Sequence, residues 1–240
     1  MTALASPEFH LYGPSHWAVL IITAAGALAW VRLGRHASES LVRVWCRLLA
    51  AAIFLLNVGT EWWVFQPTNP VYTLPLQLSD LAPYAAAIAL WTWRRWAFSL
   101  TDYWCLTLST QALLTPVLRG PDFPSLSFVA FFANHVLVVW AAILLIWGLR
   151  LRPGWRDYWF TVMVTGCWAI AMLILNAFAG TDYGFLNAKP ATGSLLDLFG
   201  PWPWYLLPEF ALILGGWAAL TVWWQRPSMT SPTQPRMSNY

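Results

Sequence analysis

Six apolar stretches constrain this chain more than any other feature: roughly 16–33, 44–65, 96–118, 126–149, 158–180 and 202–224. Each is close to the ~20 residues one helix needs to cross a hydrocarbon core. Backbone placed in lipid must satisfy its own hydrogen bonds, and runs of this length do so as helices. A seventh run, 76–93, is broken in its first turn by Gln77 and Asp80 but continues as LAPYAAAIALWTW, and it counts as a span. The sequence therefore reads as an all-α polytopic membrane helix bundle of seven transmembrane helices over residues 1–226. A Pro/Ser/Thr-rich tail, 227–240, is expected to be disordered.

Composition agrees with this reading. Only 10% of residues are charged, against about 25% in a soluble domain. Nineteen Trp residues suit the lipid–water boundary, where the ring is buried and the N–H stays wet. A net charge of +3 without a basic run gives no reason to expect nucleic acid, so the partners are membrane lipids. Cys46, Cys105 and Cys167 share no metal-ligand spacing and read as small buried apolar side chains. No pattern calls for a metal or another cofactor. The first fourteen residues carry no Lys or Arg, which argues against a cleavable signal peptide.

Basic residues set the orientation. With the N-terminus outside, the inner segments hold Arg32, Arg35, Arg43, Arg47, Arg94, Arg95, Arg150, Arg152, Arg156, Arg226 and Arg236, and the outer loops only Arg119 and Lys189. Eleven against two, by the positive-inside rule, makes this a multi-pass cell-membrane protein with a cytoplasmic C-terminus. The longest outer loop, about 181–201, carries SLLDLFG, which suits a short interfacial helix.

Polar side chains within the spans cluster toward the outer ends. Asn57 and Glu61 lie near the outer end of the second span, and Gln77, Ser79 and Asp80 begin the third. Gln111, Asn176 and Glu209 lie one or two turns inside the outer ends of theirs. Asn134 and His135 are nearer mid-depth, while Asp102 and Asp157 lie at the inner ends, where arginines can pair with them. Ionisable groups avoid lipid, so this pattern predicts a polar cavity in the outer half of the bundle. Taken singly, Asn57, Gln111 and Asn176 suit interhelical hydrogen bonding. Pro83 lacks the N–H that would bond the Ser79 carbonyl, so the third helix starts or breaks near there. Ser79 then lies by a helix N-terminus, where N–H groups favour developing negative charge. A Ser so placed, with a His on a neighbouring helix, can form a nucleophile–base pair.

At these residues the chain resembles a known family. FHLYGPSHW (9–17), LPLQLSDLAPY (74–84), STQALLTP (109–116), FFANH (131–135), NAFAGTDYGFLNAKP (176–190) and SLLDLFGPWPWYLL (194–207) resemble the YwaF-type bacterial integral membrane proteins. That family is similar in turn to transmembrane protein 164, an acyltransferase acting on ether phospholipids through a Cys and a His, and more distantly to membrane hydrolases of the androgen-induced-gene type. The resemblance implies an intramembrane acyl-transfer or lipid-hydrolysis site, with the nucleophile at Ser79 and the base at His135. This chain reads LPLQLS where LPLHLC is usual, so Gln77 stands for a His and Ser79 for a Cys. It reads GTDY for GTNY at Asp182.

The leading expectation is thus a lipid acyltransferase or lipid-ester hydrolase using Ser79 and His135, with Asp80, Glu61 or Glu209 orienting the imidazole. Gln77 or the amides beginning the third helix would hold the oxyanion. Gln111, Asn134, Asn176, Asp182 and Lys189 complete the expected cavity. Two alternatives stay open: a proton- or cation-coupled transporter using the intramembrane acids, and a non-catalytic member binding a lipid or a partner.

Overall fold

A computed structural model describes residues 8–118, 120–189 and 195–226, in helices, turns and loops, with an isolated β-bridge between Glu8 and Pro121. The tail 227–240, Arg119 and residues 190–194 of the loop about 181–201 lie outside the described residues.

Seven long helices follow in order: α1 (Pro14–His36), α2 (Glu39–Val64), α3 (Leu78–Thr92), α4 (95–114), α5 (Leu126–Gly148), α6 (Trp155–Ala179) and α7 (Leu206–Gln225). α4 is a continuous rod whose middle, Thr101–Ser109, winds as π-helix; α5 ends in a π turn, Leu144–Gly148. Five of these, α1, α2, α5, α6 and α7, are long and apolar enough to cross a membrane. α3 is not: its 15 residues span about 22 Å against a hydrocarbon core of ~30 Å. α7 begins later than its apolar run, because Pro201 and Pro203 hold 201–205 in turns.

The outward surface is apolar rather than solvated. Phe178 is 89% exposed, Trp62 82% and Leu55 67%, a pattern that fits lipid and not water. Cys46 and Cys105 are buried as expected, but Cys167 is exposed on this outer face of α6. The core is built around α3, whose Ala82, Ala85, Ala86, Ala87 and Ala89 are all buried. Small side chains let α2, α4 and α5 close on it. Glycine does the same between α1 and α5, where a Cβ on Gly34 would stand 2.7 Å from the Gly148 backbone.

The joints make the two ends of the bundle unlike. At one end α1–α2 and α3–α4 are joined by two residues each, with Trp93 in the left-handed conformation (φ 57°). The arginines gather here. Arg35 Nε donates to the Trp147 carbonyl (3.0 Å), and the Arg43 and Arg47 guanidiniums lie over the rings of Trp93 and Trp91. The other end carries the long connections after α2, α4 and α6. There Phe9 N–H bonds the Gly120 carbonyl (2.9 Å) and Ser15 Oγ bonds Asp122 (2.8 Å). His16 is fully buried between Tyr12 N–H (2.9 Å) and the Leu113 carbonyl (2.7 Å), both ring nitrogens engaged.

Candidate functional site

The N-terminus of α3 is submerged. Asn57 of α2 reaches the Asp80 carbonyl (3.4 Å) seven residues before α2 ends, so the first turn of α3 lies about 10 Å below that end. Gln77 is the residue before the helix, and Asp80 Oδ2 accepts its backbone N–H (3.0 Å). This closes the N-terminus from within. Ser79 is therefore the second residue of α3 rather than its cap. The backbone N–H groups of Leu78 and Ser79 fall in the first turn, where no helical acceptor exists. Pro83 sits inside the helix, leaving the Ser79 carbonyl without the N–H it would otherwise receive.

Asn57 joins three helices. Its amide donates to Glu61 Oε1 (2.6 Å) and to the Asp80 carbonyl, while its Oδ1 accepts from Asn134 Nδ2 of α5 (3.0 Å). Glu61 also accepts a short hydrogen bond from the Tyr84 hydroxyl. So the backbone next to Ser79 and the side chain next to His135 share one buried amide. Asn134 Oδ1 is itself buried without a partner among the described residues. Ser79 and His135 are half-buried. Neither side chain makes a hydrogen bond among the described residues, so the two are not bonded to each other, and His135 packs edge-on against Phe131 (ring centroids 4.7 Å).

A second network roofs this region. Asn176 uses all four hydrogen-bonding positions of its amide. Nδ2 donates to the Tyr183 carbonyl and Asn187 Oδ1 (3.0 Å each); Oδ1 accepts from Thr181 Oγ1 (2.8 Å) and Tyr183 N–H (2.9 Å). Asp182 Oδ1 accepts the N–H groups of Asn187 (2.9 Å) and Ala188 (3.2 Å), fixing the turn. The Tyr183 hydroxyl donates to the carbonyls of Val71 and Leu74 (2.7 and 3.0 Å). Burial, with the Asp80 carboxylate adding to it, holds that phenol above its usual pKa, so it stays a donor. Trp202 Nε1 and the Tyr205 hydroxyl bond the carbonyls of Leu186 and Phe185, and Lys189 lies over the Tyr205 ring (5.5 Å). Gly184 adopts φ +74°, and a Cβ there would meet the Trp168 ring at 2.5 Å. Its N–H donates to Gln77 Oε1 (2.8 Å), tying the roof to the start of α3.

The predicted residues thus divide. Glu61, Asp80 and Asn134 meet around Asn57, and Gln77 links that group to the roof. Asn176 and Asp182 are engaged in shaping the roof itself. Glu209 is half-buried, with Oε2 buried and unpartnered among the described residues; Gln111 is exposed and outside both networks. Sequence reasoning missed Tyr84 and Tyr183. GTDY pointed to the second, whereas nothing in the sequence tied Tyr84 to Glu61.

At the arginine end Asp157 is paired as expected: Arg95 Nε donates to Oδ1 (2.8 Å) and Nη2 to Oδ2, with Ser99 Oγ (2.6 Å) and Gly154 N–H (2.7 Å) adding bonds. The expectation that Asp102 also pairs with an arginine is overturned. It is fully buried, and neither oxygen has a partner among the described residues. It lies in the π-wound stretch of α4, enclosed by the bundle. A cleft of about 560 Å³ opens at this end, lined by Arg95, Trp96, Ser99, Arg156, Asp157 and Phe160. Among the described residues no three His, Cys, Asp or Glu side chains gather to hold a metal ion.

The model of the TMEM164 family matches residues 11–221 of the chain. No curated protein and no solved structure matches it.

Proposed function

From the premise that this chain belongs to the TMEM164 family, we propose that it is an intramembrane lipid acyltransferase or lipid-ester hydrolase with Ser79 as nucleophile and His135 as general base. The bundle spans the cell membrane seven times, N-terminus outside, with the arginine end in the cytoplasm. α3 and α4 complete the crossing alongside the other five helices. Lipid reaches Ser79 laterally from the outer leaflet.

One observation carries the reading: a single buried amide, Asn57, bonds the backbone beside Ser79 and the side chain beside His135. Among the described residues the Ser79 hydroxyl and the His135 ring are both uncommitted, which leaves them free to pair when an ester binds. His135 takes the hydroxyl proton as Oγ attacks the ester carbonyl. The resulting oxyanion is met by the first-turn N–H groups of α3 and by Gln77 Nε2, which points away from the Gly184 bond that orients the amide. The ester C–O bond then breaks, and His135 delivers the proton to the leaving alkoxide. Water or a second lipid hydroxyl clears the acyl-Ser79. Asp80 and Asn57 act as positioning residues.

The test is labelling of the purified protein by a fluorophosphonate serine probe, beside turnover of acyl-labelled phospholipid in vesicles. Ser79→Ala should abolish both, and His135→Ala should slow turnover by about a hundredfold or more. Ser79→Cys should restore turnover and make it sensitive to thiol alkylation. Equal labelling of wild type and Ser79→Ala, with no lipid turnover in either, would sink the assignment and favour a non-catalytic lipid-binding protein.

A further inference from the structure

Three tryptophans mark a level at the arginine end. Trp96 lies in the first turn of α4, Trp155 and Trp159 lie in the first two turns of α6, and all three are exposed on an apolar surface. Trp so placed stands at the lipid–water boundary, beside the headgroups of a leaflet. Between the same first turns opens the cleft of about 560 Å³ lined by Arg95, Trp96, Ser99, Arg156, Asp157 and Phe160. Its volume falls within the ~300–1,000 Å³ of an ordinary ligand site. Deeper in, Trp104 Nε1 donates to Thr165 Oγ1 (3.0 Å) and ties the two helices together.

The acid in this lining is already spent. Asp157 accepts from Arg95 Nε and Nη2, from Ser99 Oγ and from Gly154 N–H, so its charge and its lone pairs are both taken up. Arg95 also gives Nη2 to the Arg152 carbonyl (3.3 Å), which leaves its Nη1 without a bond among the described residues. Arg156 is exposed and makes no ion pair or hydrogen bond among the described residues. Two arginines against one acid give the cleft one net positive charge, and the guanidinium fork suits phosphate oxygens. A phosphodiester carries one negative charge and matches it. A zwitterionic headgroup brings an ammonium too, for which this lining offers no free carboxylate. Phe160 and Met163 follow Arg156 at i+4 and i+7 on α6, and Met163 is exposed, so one stripe leads from the guanidinium into hydrocarbon. An acyl chain fits that stripe; a free phosphate does not use it.

We propose that this cleft binds an anionic phospholipid of the leaflet at the arginine end, with Arg156 and Arg95 Nη1 on the phosphodiester and an acyl chain along Phe160 and Met163. Basic pockets between membrane helices hold anionic headgroups in this way. The site shares no residue with the Ser79–His135 reading, so either can fail without the other. The test titrates the delipidated full chain in detergent micelles, at fixed pH and ionic strength, and follows its unfolding midpoint by Trp fluorescence. Phosphatidylglycerol should raise the midpoint with its mole fraction. Phosphatidylcholine of the same chains, and glycerophosphoglycerol, the same headgroup without chains, should leave it unmoved. Arg156→Gln should raise the half-saturating mole fraction of phosphatidylglycerol at least about tenfold, and Trp96→Ala should raise it severalfold. Arg47→Gln removes an equal charge at the same end but outside the cleft, and should keep the wild-type response. Equal shifts with both lipids overturn the proposal, as does a full shift with glycerophosphoglycerol, which would make the occupant a free phosphate. So does a loss of response in Arg47→Gln as large as that in Arg156→Gln, which would reduce the effect to surface charge.

Discussion

Asn176 and Asp102 are both buried polar side chains inside apolar helices, and they sit at opposite ends of the bundle. Asn176 spends every hydrogen-bonding position of its amide on a roof folded back over α3. Asp102 spends none among the described residues. The loop end had long connections to recruit, so its polar groups could find backbone partners. At the arginine end two helical joints are only two residues long, and Asp102 lies too deep for the arginines around it. A polar group in a membrane bundle is satisfied by whatever backbone can reach its depth; one that nothing reaches stays unpaired.

Breaking the ion pair at the arginine end should have the largest effect on stability. Arg95→Ala leaves the buried Asp157 carboxylate to Ser99 and Gly154, and should cost about 3–5 kcal/mol in reversible unfolding. A loss under about 1 kcal/mol would mean that solvent in the cleft screens the pair. Asn176→Ala comes next, at about 3 kcal/mol, since it orphans several buried partners at once. It should also open the roof, read as faster proteolysis within 181–189. Gly184→Ala should cost about 2 kcal/mol, because it strains a positive φ and drives a methyl into Trp168. A Trp168→Ala background should remove the steric part but leave the backbone part, which a double-mutant cycle would separate. The smallest effect belongs to Gln111→Ala, which should change stability by no more than about 0.5 kcal/mol and leave lipid turnover unaltered. A large loss there would show that the outer face of α4 is in use.

The helices were legible because the requirement that writes them is local. Each run of apolar residues foretold its helix to within five residues; the largest shift is at α2, whose polar first turn begins at Glu39, and the Pro-rich start of α7 accounts for a shift of four. The polar cluster was only half legible. Depth along a helix can be counted from the sequence, which is why Glu61, Asp80 and Asn134 could be grouped before any helix was packed. Azimuth cannot be read with the same assurance when a helix is apolar all round, and so Gln111 was grouped with residues it does not face. Asp157 was predicted to find an arginine and does. Asp102 received the same expectation, because nothing in the sequence marks Thr101–Ser109 as π-wound.

The sequence alone determined that this chain lives in a membrane, where its helices begin and end, and which end carries the arginines. Those properties follow from transfer of side chains between water and lipid, which each segment undergoes by itself. Only the packed bundle decided which polar groups meet. The submerged start of α3, the Asn57 junction, the saturated Asn176 and the solitary Asp102 depend on helix rotation and on loops folding back from distant positions. Their energies come from contacts between segments, and no segment holds that information on its own.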